Sequence, residues 1–212
     1  MFYNVVKRTL DIILSLFLFI IFSPLIILTA ILIKLDSDGP VVADTPKRIG
    51  MNGKLFKMYK FRSMIKDAHG VLTRSPKYKK LYEEYKKSGY KLKDDPRITN
   101  VGKFIRKYSI DEIPQFLNVL KGEMSIVGPR AYYSDELREQ QKKYPNTQDA
   151  VKIVLSVKPG ITGVWQVSGR SQINFDKRIK MDAAYALKKS VIYDLYLITK
   201  TPIAMLSGKG AM

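Results

Sequence analysis

From Ile12 to Ile33 the chain carries no charged residue and is apolar almost throughout, with Lys7, Arg8 and Asp11 before the run and Lys34, Asp36 and Asp38 after it. Such a run exceeds the about 20 residues that a helix needs to cross a bilayer. It is long for the apolar core of a cleaved signal and no small-x-small site follows it, which sets a signal peptide aside. Two geometries remain. Ser23-Pro24 stands at the middle of the run, where the proline removes an intrahelical hydrogen bond and the serine hydroxyl can satisfy the carbonyl set free. A helix that kinks there and spans is one solution. A helix that turns and returns to the side it entered is the other, and basic residues at both ends conflict least with it, because both flanks then stay cytoplasmic.

The remaining chain is long enough for one well-cored domain. Lys and Arg number 37 against 19 Asp and Glu, a formal charge of +18 with a pI near 9.9, so the partner is anionic: nucleic acid, an anionic membrane surface or phosphorylated substrates. The absence of cysteine excludes disulfides, thiolate metal sites and cysteine nucleophiles. His69, the single histidine, lies in a polar stretch and reads as a solvated loop residue, so a histidine-based triad is not expected.

Pro40 to Ala43 and Lys54 to Met64 read as two extended stretches around the turn signal Met51-Asn-Gly53. On the second, Lys60 and Arg62 are two apart and are expected on one face, either holding an anion together or simply solvated. Between residues 66 and 96, Tyr78, Leu81, Tyr82 and Tyr85 form one helical stripe among lysines, suited equally to a membrane interface and to a core-facing helix with a wet back. Asp94-Asp95-Pro96 reads as a turn, with weak grounds for a metal role.

The most chemically loaded stretch is Arg106 to Gln115, where Asp111 and Glu112 lie side by side. Ser109 and Glu112 fit a capping box, but that register buries Pro114 deep in the helix; a later start makes Pro114 a first-turn proline and leaves the carboxylates just before it. Either register sets Asp111 near free backbone amides, which favours an ionised carboxylate suited to a nucleophile or a metal ligand, or merely to helix stabilisation. Downstream, Met124 to Val127 reads as a short buried strand entering Gly128-Pro129-Arg130, and the Arg130 fork matches phosphate oxygens. A helix follows over Ser134 to Tyr144. The loop from Lys158 to Arg170 holds Gly160, Gly163, Gly169 and Trp165: its glycines permit close backbone approach to an anion or a base, yet it matches no standard nucleotide fingerprint. Phe175 to Lys189 and Val191 to Lys200 read as two helices that complete the core or graze the membrane.

Taken in order, Lys7-Arg8-x-x-Asp11, Ser23-Pro24, Lys60-Phe-Arg-Ser-Met64, Asp95-Pro-Arg97, Ser109-Ile-Asp-Glu-Ile-Pro-Gln115, Val127-Gly-Pro-Arg130 and Lys158-Pro-Gly-Ile-Thr-Gly163 with Trp165-Gln166 to Gly169-Arg170 resemble the bacterial sugar transferases, monotopic phosphoglycosyl transferases. Only residues 70–93 carry little of the resemblance. It implies the re-entrant alternative, hence an α+β chain: an N-terminal helix hairpin over residues 1–36, broken at Ser23 and Pro24, then a mostly helical cytoplasmic domain over 37–212 with a small β-hairpin or sheet and amphipathic interfacial helices. It implies transfer of a sugar 1-phosphate from a UDP-sugar to undecaprenyl phosphate with release of UMP, aided by Mg²⁺. Asp111 would be the nucleophile and a metal ligand, Glu112 its acidic partner, and Pro129 and Arg130 the loop that seats the nucleotide. Lys60, Arg62, Arg106 and Arg170 are further phosphate-binding candidates, and Lys7 and Arg8 headgroup contacts.

The setting so implied is the bacterial inner membrane, with the catalytic domain on its cytoplasmic face, membrane lipids as partners and no nucleic acid. Extra N-terminal helices of larger members are lacking, as in a minimal catalytic unit. The loop from Trp165 to Arg170 looks more like that of members using plain hexoses; the glycan pathway and a homodimer are left open. A non-enzymatic, membrane-tethered basic protein would account for the charge and the apolar run, but not for the Asp-Glu pair or the Gly-Pro-Arg loop.

Overall fold

In the computed structural model, which describes residues 2–87, 92, 95–169 and 173–206, the apolar run folds as two helices, α1 (Phe2–Ile21) and α2 (Ser23–Asp36). They break at Phe22, with Pro24 in the first turn of α2, and are bent by 61°. No single helix among the described residues is long and apolar enough to cross a membrane; this bent pair passes that test only together.

Within the apolar run the pair buries Ser15 and Thr29 and exposes many of its apolar residues. Asp11, Ser15 and Thr29 are buried against the rest of the chain, whereas Ile13, Phe17, Ile20, Ile27 and Ile31 point outward. That pattern is the reverse of a water-soluble helix pair, and the outward face offers a continuous apolar surface. α1 packs on α6 (Phe116–Leu120), β3 (Ser125–Val127) and α11 (Val191–Leu206), and α2 on α5 (Asn100–Lys107). Asp11 Oδ1 accepts hydrogen bonds from Ser125 Oγ and Ile126 N, both at 3.0 Å, which ties α1 to β3. Asp11→Ala would leave two buried donors without partners and is expected to cost about 2–4 kcal/mol, with Asp11→Asn keeping most of the stability. Thermal unfolding in detergent checks this; equal midpoints for both variants and the wild type would contradict it.

Among the described residues the remaining elements are mostly helical, with two two-stranded sheets. β1 (Arg48–Ile49) and β2 (Leu55–Phe56) form the antiparallel hairpin across Met51–Gly53, where Asn52 takes a left-handed φ of 56°. Its first strand lies at residues 48–49; the expected stretch 40–43 contributes one bridge, Val42 to Phe61. β3 pairs in parallel with β4 (Gly160–Thr162). α3 (Ala68–Arg74) and α4 (Lys79–Lys87) follow the hairpin; α7 (Ser134–Lys143), α8 (Gln148–Leu155), α9 (Val164–Ser168) and α10 (Phe175–Lys188) come after β3 in the chain, and α10 packs on α8 and α9. The stripe of Tyr78, Leu81, Tyr82 and Tyr85 is half-buried, and Tyr85 faces inward to line the central cavity.

One core cluster joins β2, α6, β3 and α11 through Phe56, Val119, Met124, Val127 and Leu197. A second joins α8 to α10 through Val151, Val154, Phe175 and Ile179. A third, of Ile33, Phe61 and Ile105, fastens α2 to the segment that carries Lys60. α10 thus completes the core, while α11 buries Asp194 and Leu197 and exposes Ile192, Leu195 and Ile203.

Candidate active site

Asp111 and Glu112 lie in a 3-10 turn, Ile110–Gln115, that leads into α6. Ser109 does not cap it: its φ is 57° and its side chain makes no cap hydrogen bond. Pro114 therefore sits inside the lead-in turn, and the carboxylates precede the α-helix, nearer the later of the two expected registers. The stabilisation expected from helix amides comes instead from Lys60, whose Nζ is 2.6 Å from Glu112 Oε1 and 3.5 Å from Asp111 Oδ2.

Lys60 is held there by backbone and by one buried amide. Phe61 N donates to Asp111 O at 2.9 Å, and Ala43 N donates to Lys60 O at 2.9 Å. Asn118, fully buried, accepts from Tyr59 N at 2.9 Å and donates to Lys57 O at 2.8 Å, much as a neighbouring strand would. Burial alone would lower Lys60, but Glu112 and Asp111 outweigh it and keep the ammonium above its ordinary value. Burial pushes Asp111 up, with Lys60 and Arg106 pulling the other way and Glu112 adding to the rise. A buried carboxylate of raised basicity with one lysine beside it can attack an electrophilic phosphorus.

These groups open onto a cavity of about 670 Å³, lined also by Arg48, Arg106, Arg130, Tyr133, Trp165 and Gln166. Two guanidiniums lie near Trp165, with Arg130 at 5.2 Å and Arg178 at 5.4 Å from its ring. Arg130 N donates to Asp182 Oδ2 at 3.1 Å. Burial pushes the Asp182 carboxyl up to about 7, against the Arg130 amide and the Arg178 and Arg130 charges.

Several predicted residues have other duties. Arg62 is buried and donates to Asp38 O at 2.6 Å, Ser37 O at 2.5 Å and Ile33 O at 3.1 Å, closing the C-terminus of α2, so it does not share an anion with Lys60. Gly39, with a φ of 121°, leaves room for that guanidinium, since a Cβ there would collide with it. Lys7 Nζ pairs with Asp194 Oδ2 at 2.7 Å, and Arg8 donates to Val119 O at 2.6 Å and Leu120 O at 2.9 Å. Both cations expected at headgroups thus bind α1 to α11 and α6.

Pro129 is buried and its carbonyl accepts from Gly160 N at 2.9 Å. Gly160 and Gly163 pack backbone to backbone against Gly128, with no room for a Cβ, so these glycines fix the loop that carries Arg130. Asp95 is held by Arg97 at 2.8 and 2.6 Å, which occupies it as an ion-pair partner. Asp94 and Arg170 lie outside the described residues.

Sequence reasoning passed over Arg48, Tyr133, Glu136, Arg178 and Asp182. The signal for the last two was their place on the buried stripe of α10, alongside Phe175, Ile179, Ala183 and Ala186. Glu136 sits in the first turn of α7 beside buried Leu137, and nothing local marks it out.

No group of three or more acidic, histidine or cysteine side chains that could hold a metal occurs among the described residues. The hard oxygens of Asp111 and Glu112 nevertheless suit Mg²⁺, which usually takes one or two carboxylates and completes its shell with water and substrate phosphate.

A carboxylate pair with one lysine, opening onto an arginine-lined cavity, is the layout of a group-transfer site for phosphorylated substrates. The chain belongs to the bacterial sugar transferase family, whose model matches residues 2–208. It is 43% identical over 205 residues to an undecaprenyl-phosphate galactose phosphotransferase of Salmonella typhimurium, covering 97% of this chain and 41% of the relative. It is 39% identical over 206 residues to the exopolysaccharide production protein ExoY of Sinorhizobium fredii, covering 97% of this chain and 87% of that protein. A UDP-glucose:undecaprenyl-phosphate glucose-1-phosphate transferase of Escherichia coli is 36% identical over 203 residues, covering 93% of this chain. The chain spans less than half of the Salmonella and Escherichia proteins, 41% and 39% of their lengths.

Proposed function

We propose that this chain transfers a hexose 1-phosphate from a UDP-sugar to undecaprenyl phosphate at the bacterial inner membrane, as the first membrane step in building a polysaccharide. The observation that carries the reading is the buried Asp111, neutralised by Lys60 at the edge of a basic cavity. Relatives named for galactose and glucose transfer point to a hexose donor.

In the first half-reaction an Asp111 carboxylate oxygen bonds to the phosphorus that bears the sugar. The bond from that phosphorus to the bridging oxygen breaks, and UMP leaves with its electron pair. In the second, an oxygen of undecaprenyl phosphate attacks the same phosphorus, the acyl phosphate bond breaks and Asp111 is restored. Because UMP departs before the lipid phosphate enters, the two anions never share the site. Lys60 lies between Asp111 and Glu112 and shields the one from the other, and Arg130 and Arg106 offset the diphosphate. Glu112 is the acidic partner of the pair. Asp111, with Glu112 beside it, would hold Mg²⁺, which supplies charge neutralisation of the diphosphate and the departing UMP.

The lipid acceptor calls for a site at the membrane surface. The bent pair α1–α2, with apolar residues outward and polar residues inward, suits a re-entrant insertion that keeps the site on the cytoplasmic face.

UMP release by detergent-purified protein with Mg²⁺ and a panel of UDP-sugars, with and without undecaprenyl phosphate, tests the reading. Sustained release from a UDP-hexose only when the acceptor is present is expected. No release from any donor by a folded sample would favour the basic tether instead.

A further inference from the structure

Arg48 stands in the central cavity with a charge that its neighbours only partly offset. The residue is 7% exposed, yet no carboxylate among the described residues lies within hydrogen-bond reach of it. Glu136 is 3.9 Å from Arg48 Nη1, and it is also 3.7 Å from Arg178 and 4.0 Å from Arg130. One buried carboxylate is thus divided among three guanidiniums. A desolvated cation so thinly compensated is costly unless an anion completes it.

The local build holds Arg48 in one place. Its Nη1 donates to Ala131 O at 3.2 Å, and its guanidinium carbon lies 3.3 Å from the centre of the Tyr133 ring. Strand β1 bridges to Tyr133 through Arg48, so backbone and ring fix the same residue. Its Nε is buried and makes no hydrogen bond among the described residues. Arg48 lowers the Lys60 ammonium by its charge, and Arg130 acts likewise on Arg48. Arg48, Arg130 and Arg178 thus gather around Glu136, the last two within 5.2 and 5.4 Å of the Trp165 ring, while Lys60 stands at the carboxylates.

We propose that Arg48 is a donor-binding residue, contributed by the hairpin, which binds the diphosphate of the nucleotide sugar between the Asp111 end of the cavity and Trp165, with Glu136 as the positioning residue that sets the guanidiniums around it. The proposal rests on the donor reading above and adds to it the residue that spans its two ends.

The test uses the full chain in detergent with Mg²⁺, comparing wild type, Arg48→Gln and Arg48→Lys. Titration with UDP and with inorganic diphosphate is run beside steady-state rates. Arg48→Gln is expected to weaken both ligands and raise the donor KM by about tenfold to a hundredfold, the range for a lost hydrogen bond to a charged group. Arg48→Lys should recover part of that loss, because it restores charge but not the planar fork. The acceptor KM should not move. A merely structural role would lower the folded fraction, and so the apparent kcat, with the donor KM and UDP affinity unchanged; that result overturns the proposal. A folded wild type that binds neither UDP nor diphosphate would instead sink the donor reading and this proposal with it.

Discussion

Asp111→Asn is expected to abolish turnover, with a fall in kcat of at least about 10⁴-fold, the scale seen when a covalent nucleophile is removed. The amide keeps the shape of the side chain but cannot form the acyl phosphate. Misfolding is not the expected cause of the loss. Burial and the neighbouring Glu112 both disfavour a charge at this position. A neutral amide there is therefore compatible with the fold, and Lys60 retains Glu112 as its partner at 2.6 Å. Rates of UMP release and thermal unfolding, measured on the same preparation, separate the two causes. A variant that keeps a few per cent of wild-type turnover would remove Asp111 from the role of nucleophile.

The second large effect is expected at Lys60. Replacing it with Met leaves two adjacent carboxylates without their shared counter-charge, and the loss should appear in both stability and rate. Breaking a buried pair costs about 3–5 kcal/mol. The lower part of that range applies to Lys60, because the Glu112 side chain is 36% exposed and water screens its share. kcat/KM is expected to fall by about a hundredfold or more, equivalent to about 2.7 kcal/mol of transition-state stabilisation. The double variant Lys60→Met with Asp111→Asn should unfold at a higher temperature than Lys60→Met alone, since only one of the two carboxylates then misses the Lys60 charge. Equal midpoints would show that Lys60 does not act through Asp111.

What could be read from the sequence was local chemistry, and what could not was tertiary partnership. Ser23-Pro24 marked the break in the apolar run because a missing amide acts at its own position. Asp111 and Glu112 were legible for the same reason. Arg62 was not, because the two-residue spacing assumed a regular strand, whereas α2 ends beside it and offers it three carbonyls. Ser109 fitted a capping box by composition, yet its left-handed backbone turns the side chain away from that role.

The glycines of the loop after Lys158 suggested a ligand cradle, while Gly160 and Gly163 in fact allow one stretch of backbone to lie on another. Lys7 and Arg8 read as surface cations beside a membrane segment; their partners, Asp194 and the end of α6, are more than a hundred residues away in the chain. Arg48 and Glu136 had no local signal at all, since their meaning arises only when the hairpin and α10 bring Arg48 and Arg178 to Glu136 on α7.

The most direct test of covalent transfer is the mass of the intact protein, quenched shortly after mixing with a UDP-hexose and Mg²⁺ in the absence of acceptor. An increase of one hexose phosphate is predicted, carried on the peptide that contains Asp111 and lost when undecaprenyl phosphate is added. Acceptor-dependent UMP release with no such adduct at any quench time would show a direct displacement, and would contradict the role of Asp111 as nucleophile.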